Sequence, residues 1–341
     1  MALTIFSIFT IDKFQLRNEY NAYSALKVSL ISIALCYLIE LMFIHPIFSN
    51  YILFTQAVSR VEVEEIISPL SFPYIKQLVT GVLIYQTIYF LNSSLNKEIV
   101  IKLLVLPLYI MCVFLLLKLG MRKELLIIIV ATLIYYSHRI DDKKLIMISF
   151  LIVASLLLLG DIRQGNENED SINIINVLGE FFFSHSTLPF IISNNNMMEN
   201  HPIPYLNALY VFFPKFIVGS SPEVALSFSE IFKNKITGFS DMGFGFSPLA
   251  EAALVSKYFP WAIFTSVCVS YSLLITKIFK QYKIIAAILL STIPNFMRVD
   301  FRSYFIETLV IISMVIILIF LSKIKVRMKS RWELNVVEIN K

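Results

Sequence analysis

Charge is scarce in this chain of 341 residues: 16% are Asp, Glu, Lys or Arg, against about 25% in ordinary soluble domains. The hydrophobic set makes up 57% and the mean hydropathy is +0.75. That combination excludes a water-soluble globule, a disordered chain and a fibrous repeat, and leaves a polytopic membrane protein. The net charge of +5 is mild and scattered, so nucleic acid is no partner. Cysteine is nearly absent. Cys36, Cys112 and Cys268 stand alone inside apolar runs, which gives neither a disulfide framework nor zinc-ligand spacing. No aspartate-rich metal string occurs, so neither a metal nor a cofactor is expected. Nine glycines are few for tightly packed spanning helices, and 29 phenylalanines point instead to large side chains around lipid-exposed or acyl-binding surface. Met1–Thr10 lacks the basic stretch and small-residue cleavage pattern of a cleavable signal.

What is present is a series of long apolar runs. A spanning helix needs about 20 mostly apolar residues. Runs of that kind are centred on Ser24–Ile44, Tyr74–Leu91, Ile99–Leu119, Trp261–Phe279 and Ser303–Leu321, with shorter ones at Glu124–Tyr136, Leu145–Gly160 and Lys283–Met297. The expected fold is all-α, a polytopic transmembrane bundle of about 8 spans, up to about 10, with one large structured outer loop. Its parts are an N-terminal bundle (1–160), the loop (161–256), C-terminal spanning helices (257–322) and a basic tail (323–341). Lys and Arg in short loops set orientation. Lys323, Lys325, Arg327, Lys329 and Arg331 place the tail in the cytoplasm, and Lys277, Lys280 and Lys283 do the same for their loop. Counting back puts 161–256 outside. One loop disagrees, because Lys118, Arg122 and Lys123 would then also lie outside.

The outer segment is acidic. From Asp161 to Ala250 it holds Asp161, Glu167, Glu169, Asp170, Glu180, Glu199, Glu223, Glu230 and Asp241 against Arg163, Lys215, Lys233 and Lys235. Leu178–Ser193 and Tyr205–Gly219 are apolar but short, and read as interfacial or re-entrant helices. Ser247-Pro248 reads as an N-cap with proline in the first helical turn, which puts Glu251 where a carboxylate suits the helix dipole. A helix from Pro248 to Phe279 would be about 48 Å long, so a kink at Pro260 is expected.

Gly243-Phe244-Gly245-Phe246-Ser247-Pro248-Leu249-Ala250-Glu251-Ala252 resembles the G-x-G-x-S-P-x-A-E-A motif of bacterial O-antigen and repeat-unit polymerases of the Wzy type. Glu180-Phe181 with Ser186-Thr187-Leu188 is similar to that family's E-F…T-L segment. Phe213-Pro214-Lys215 is similar to its P-[RK] segment, and Arg298-Val299-Asp300-Phe301 to its R-x-D-F. The matches cover the second half of the chain. The resemblance implies a glycosyltransferase of the bacterial inner membrane with a periplasmic active site. It would join oligosaccharide repeat units carried on undecaprenyl pyrophosphate, in O-antigen or capsule synthesis, without a metal ion. Its partners would be those lipid-linked oligosaccharides, membrane lipid and a chain-length regulator protein. Two alternatives use related substrates: an O-antigen ligase, and a flippase or transporter. Transporters usually carry internal repeats, and none is visible here.

That chemistry needs an acceptor for the attacking hydroxyl's proton and cations for the departing pyrophosphate. Glu251 and Glu180 are the carboxylate candidates. Arg298 is the leading cation, with Arg163, Lys215 and Arg302 as further pyrophosphate or sugar contacts and Ser247 beside them. If 298–302 is helical, both arginines share one face and Asp300 orients one of them.

Overall fold

The structure is a computed structural model. It describes residues 29–48, 74–92, 99–119, 121–137, 140–141, 143–144, 147–148, 187–193, 203–212 and 246–322. All regular structure among them is helical: α1 (Leu30–Phe48), α2 (Ile75–Asn92), α3 (Ile99–Lys118), α4 (Arg122–Tyr136), α5 (Thr187–Ser193), a 3-10 helix (Leu206–Phe212), α6 (Pro248–Val255), α7 (Pro260–Gln281), α8 (Lys283–Ser291), α9 (Ile293–Phe296) and α10 (Phe301–Ser322). Among the described residues three helices are long and apolar enough to cross a membrane, at Ile101–Lys118, Pro260–Ile278 and Phe301–Ser322; Leu30–Pro46 is apolar but shorter.

Local chemistry explains where several of these begin. The Ser29 hydroxyl accepts from the Ser32 N–H at 3.2 Å, while the Ser32 hydroxyl accepts from the Ser29 N–H at 3.1 Å. This reciprocal cap starts α1. Ser247 caps α6 by accepting from the Ala250 N–H at 3.3 Å, with Pro248 in the first turn, as its sequence leads one to expect. Two expectations need correction. The chain from Pro248 to Phe279 is not one kinked helix: α6 ends at Val255, and Pro260 opens a separate α7 after the intervening Ser256–Phe259. The backbone turns extended at Ser256, and Pro260, whose missing N–H is no loss in a first turn, opens the new helix. Likewise, Lys283–Met297 is not a continuous helix but the nine-residue α8, a break at Thr292, and the four-residue α9. Pro294, at the start of α9, cannot donate to the α8 ladder. The Leu145–Gly160 run lies almost wholly outside the described residues.

α2 is the centre of the bundle, packed by α1, α4 and α10 and more lightly by α3. Val79, Val82, Leu83, Ile84 and Ile88 on α2 are completely buried, in one cluster with Phe43, Cys112, Leu115, Ile311, Val315 and Leu318. In lipid such packing stabilises through close contact more than through exclusion of water. Gly81, the glycine among the described residues, allows a close helix approach. A Cβ on Gly81 would lie 3.0 Å from the Ile311 carbonyl oxygen and 3.0 Å from the Met314 Cβ, so α2 and α10 touch there backbone to backbone.

Contacts between helix termini define two ends. Ser29 donates to the Leu321 carbonyl at 2.8 Å, and Tyr136 to the Ile88 carbonyl at 3.1 Å. The start of α1 and the last turns of α2, α4 and α10 therefore share one end. At the other, Lys123 donates to both Glu307 oxygens at 2.8 Å, and the Asn295 amide donates to Glu307 at 2.7 Å. The starts of α4 and α10 thus lie together, with α9 beside them.

Candidate functional site

The second end also gathers the motif residues. Glu251, in the first turn of α6, is completely buried. One of its carboxylate oxygens accepts from the Tyr205 N–H at 3.1 Å, and the other accepts from the Phe301 N–H. Phe301 opens α10, so its amide is one of the donors that a helix leaves without an internal partner. Asp300 supplies a further acceptor: Oδ2 takes the Ser303 N–H at 3.1 Å and Oδ1 the Ser303 hydroxyl at 2.9 Å. Two carboxylates, one local and one from residue 251, together cap the last long helix.

Tyr205 is held by three contacts at once. Its φ of 62° is in the left-handed region, which costs a bulky side chain free energy and persists only when the surroundings impose it. Its N–H goes to Glu251, its hydroxyl donates to the Pro248 carbonyl at 2.5 Å, and its ring meets Phe301 edge-on at 5.6 Å. Below lies an aromatic cluster of Phe264, Tyr271, Phe296, Phe301 and Tyr304. Thr292 donates to the Leu289 carbonyl at 3.0 Å, so the Tyr304 hydroxyl donates to Thr292 at 3.0 Å, and Tyr271 in turn donates to Tyr304. The Thr292 side chain at the break after α8 is thus tied to α7 and α10, while the backbone there bonds locally, Thr292 N–H to Ile288 at 3.1 Å and Phe296 N–H to Thr292 at 3.0 Å.

The sequence-derived candidates separate accordingly. Glu251, Ser247, Arg298, Asp300 and Arg302 are brought to this end; Glu180, Arg163 and Lys215 lie outside the described residues. Leu188, next to Thr187, packs on α6 against Ala250 and Ala253, which adds part of the T-L segment to the same assembly. Ser247 is completely buried and its oxygen serves the α6 cap. Glu251 touches backbone amides on both oxygens. Arg298 and Arg302 are both partly exposed, but they do not share a helical face: Arg298 lies in the turn after α9, with its N–H on the Asn295 carbonyl at 3.0 Å, and Arg302 in the first turn of α10. Asp300 serves as a helix cap through Ser303, and Arg302 also acts on its charge. Sequence reasoning missed Tyr205, the Thr292–Tyr304–Tyr271 chain and the Lys123–Glu307–Asn295 group.

Burial, reinforced by the Asp300 charge, pushes Glu251 up to about 8, although the Phe301 and Tyr205 amides pull the other way. Burial raises Asp300 as well. The folded protein therefore holds a proton on Glu251 that the unfolded chain releases near the ordinary value of 4.5. Its contribution to stability is full below about pH 4.5 and is lost as pH rises through about 8. In detergent, the thermal midpoint is expected to fall across that window and then level, with a shallower fall in Glu251→Gln. Equal slopes in the two proteins would contradict this protonation.

Among the described residues no group of three or more His, Cys, Asp or Glu side chains is arranged to hold a metal ion. No protein-family model, curated protein or solved structure matches the chain.

Proposed function

We propose that this protein is a Wzy-type polysaccharide polymerase of the bacterial inner membrane, extending a chain of repeat units carried on undecaprenyl pyrophosphate at the periplasmic face. The observation that carries the reading is the bond from the Phe301 amide to Glu251. It joins the Ser-Pro-Leu-Ala-Glu string to the Arg-Val-Asp-Phe string across 50 residues of sequence. The eight-span topology with 161–256 outside fits the two helix ends described above. Within the discordant basic loop, Lys123 is paired with Glu307, which offsets one of its three positive charges.

In the reaction, an acceptor sugar hydroxyl attacks the anomeric carbon of the donor. The bond to the pyrophosphate breaks, that group leaves with the electron pair, and the hydroxyl proton passes to a base. Arg298 and Arg302 are assigned to the departing pyrophosphate, with Arg163 and Lys215 as further cations and Glu180 as the acid–base group. Glu251 is a positioning residue. Buried, with both oxygens on backbone amides, it fixes the turn that presents Arg298 and Arg302.

The test is a gel of surface polysaccharide from a strain lacking the gene. A ladder collapsed to one repeat unit is expected. Polymer that is still made but stays on its lipid carrier would indicate a ligase, and repeat units accumulating at the cytoplasmic face would indicate a flippase; either result overturns the proposal.

A further inference from the structure

Away from this end, inside the apolar first helix, sits Glu40, completely buried, with neither carboxylate oxygen hydrogen-bonded among the described residues. No basic side chain among them acts on it. Gln86 of α2 is buried to 2% exposure and is likewise without a hydrogen bond on its amide oxygen or nitrogen, as is the Tyr85 hydroxyl beside it. Gln86 lies near both Glu40 and Cys36, one turn before Glu40 on α1, and Ser32 lies near Tyr85. A narrow cleft bounded by Ile33, Cys36, Tyr85, Gln86, Tyr89 and Val105 lies alongside.

A bare carboxylate inside a membrane bundle is costly, and ionisable groups persist there when they pair or mark an ion or proton site. Each unpaired amide or hydroxyl in a buried site adds to that cost. A small positive guest offsets the carboxylate's charge and is met by the Gln86 and Tyr85 oxygens as neutral acceptors, which leaves the Gln86 amino group, a donor, to the carboxylate. Hard monovalent and divalent ions favour such an oxygen set, but a single carboxylate balances only one unit of charge. We propose that Glu40, with Gln86 and Tyr85, forms a buried binding site for one small monovalent cation, a proton or a sodium ion, between α1 and α2. The inference is independent of the polymerase reading.

The experiment uses the purified full-length protein in lipid nanodiscs. Thermal midpoints are measured in sodium chloride and in choline chloride at equal ionic strength, and infrared spectra are recorded at neutral pH in water and deuterium oxide. If sodium is bound, the midpoint rises with sodium in the wild type and not in Glu40→Gln. If a proton is bound, the wild type shows a protonated-carboxyl stretch that shifts in deuterium oxide and is missing from Glu40→Gln. Gln86→Leu keeps Glu40 and serves if Glu40→Gln does not fold. It should weaken the apparent sodium affinity at least tenfold or shift the carboxyl band. A midpoint indifferent to sodium together with no protonated-carboxyl band in the wild type overturns the proposal. So does a Gln86→Leu protein that matches the wild type in both readouts.

Discussion

Arg298→Ala is expected to reduce the surface polysaccharide to single repeat units while the protein remains in the membrane at wild-type amounts. Arg298 lies in the turn between α9 and α10, partly exposed, next to the doubly capped start of α10. Its backbone is fixed by its own amide on Asn295 and by the Glu251–Phe301 bond downstream, two contacts that do not use its side chain. What is lost is a forked cation for a leaving group whose charge grows in the transition state. Removing one such donor from an enzyme typically costs about 10²–10³ in rate. Arg298→Lys should recover only part of the activity, because an ammonium gives charge without the planar fork. Wild-type polymer length in Arg298→Ala, at equal protein level, would remove Arg298 from the site. Glu251→Ala should lose polymer too, but for a different reason. It strands the Phe301 and Tyr205 amides, each costing about 1–3 kcal/mol, so its melting point should drop as well. That difference separates the positioning residue from the arginine.

The largest effect on the fold is expected at Gly81. Gly81→Leu should yield little folded protein, and Gly81→Ala a lowered thermal midpoint in detergent. The first new carbon already meets the Ile311 carbonyl and the Met314 Cβ at 3.0 Å, and the former is backbone that cannot rotate away. Overpacking of this kind costs about 1–3 kcal/mol for small additions and more for large ones. Met314→Ala in the Gly81→Ala background relieves the contact at 3.2 Å to the Met314 Cγ and leaves the other two, so rescue should be partial. Because α10 carries Asp300 and Phe301 at its start, a displaced α10 should also lower activity in the protein that does fold. An unchanged midpoint in Gly81→Ala would mean that α2 and α10 do not touch there.

The features legible in the sequence are those set by neighbours along the chain. Ser247-Pro248 announced the start of α6 because capping involves residues three apart, and the apolar runs announced helices because burial in lipid imposes composition. Breaks were harder. Pro260 signalled a disturbance, but whether a proline kinks a helix or separates two depends on what takes up the freed backbone groups. The break at Thr292 is held by Tyr304 and Tyr271 on other helices. Pairings between distant residues were invisible. Lys123 and Glu307 are 184 positions apart, and Lys123 read only as a charge on the wrong side of the membrane until its partner was known. By composition Tyr205 opens a short apolar stretch that reads as an interfacial or re-entrant helix. Pro204 marks a turn there, but the left-handed backbone of so bulky a residue is held by contacts to α6 and to Phe301, which the local sequence does not reveal.

The most direct measurement of the central claim is chain growth by the purified protein. The wild type and Arg298→Ala, reconstituted in liposomes, are supplied with undecaprenyl-pyrophosphate-linked repeat units from the same strain, and the products are resolved by length. The wild type should produce a ladder of lipid-linked oligomers and release undecaprenyl pyrophosphate in step with each addition, while Arg298→Ala should leave single units. If the folded wild-type protein leaves the substrate as single units, or if Arg298→Ala builds the same ladder at the same rate, the account is contradicted.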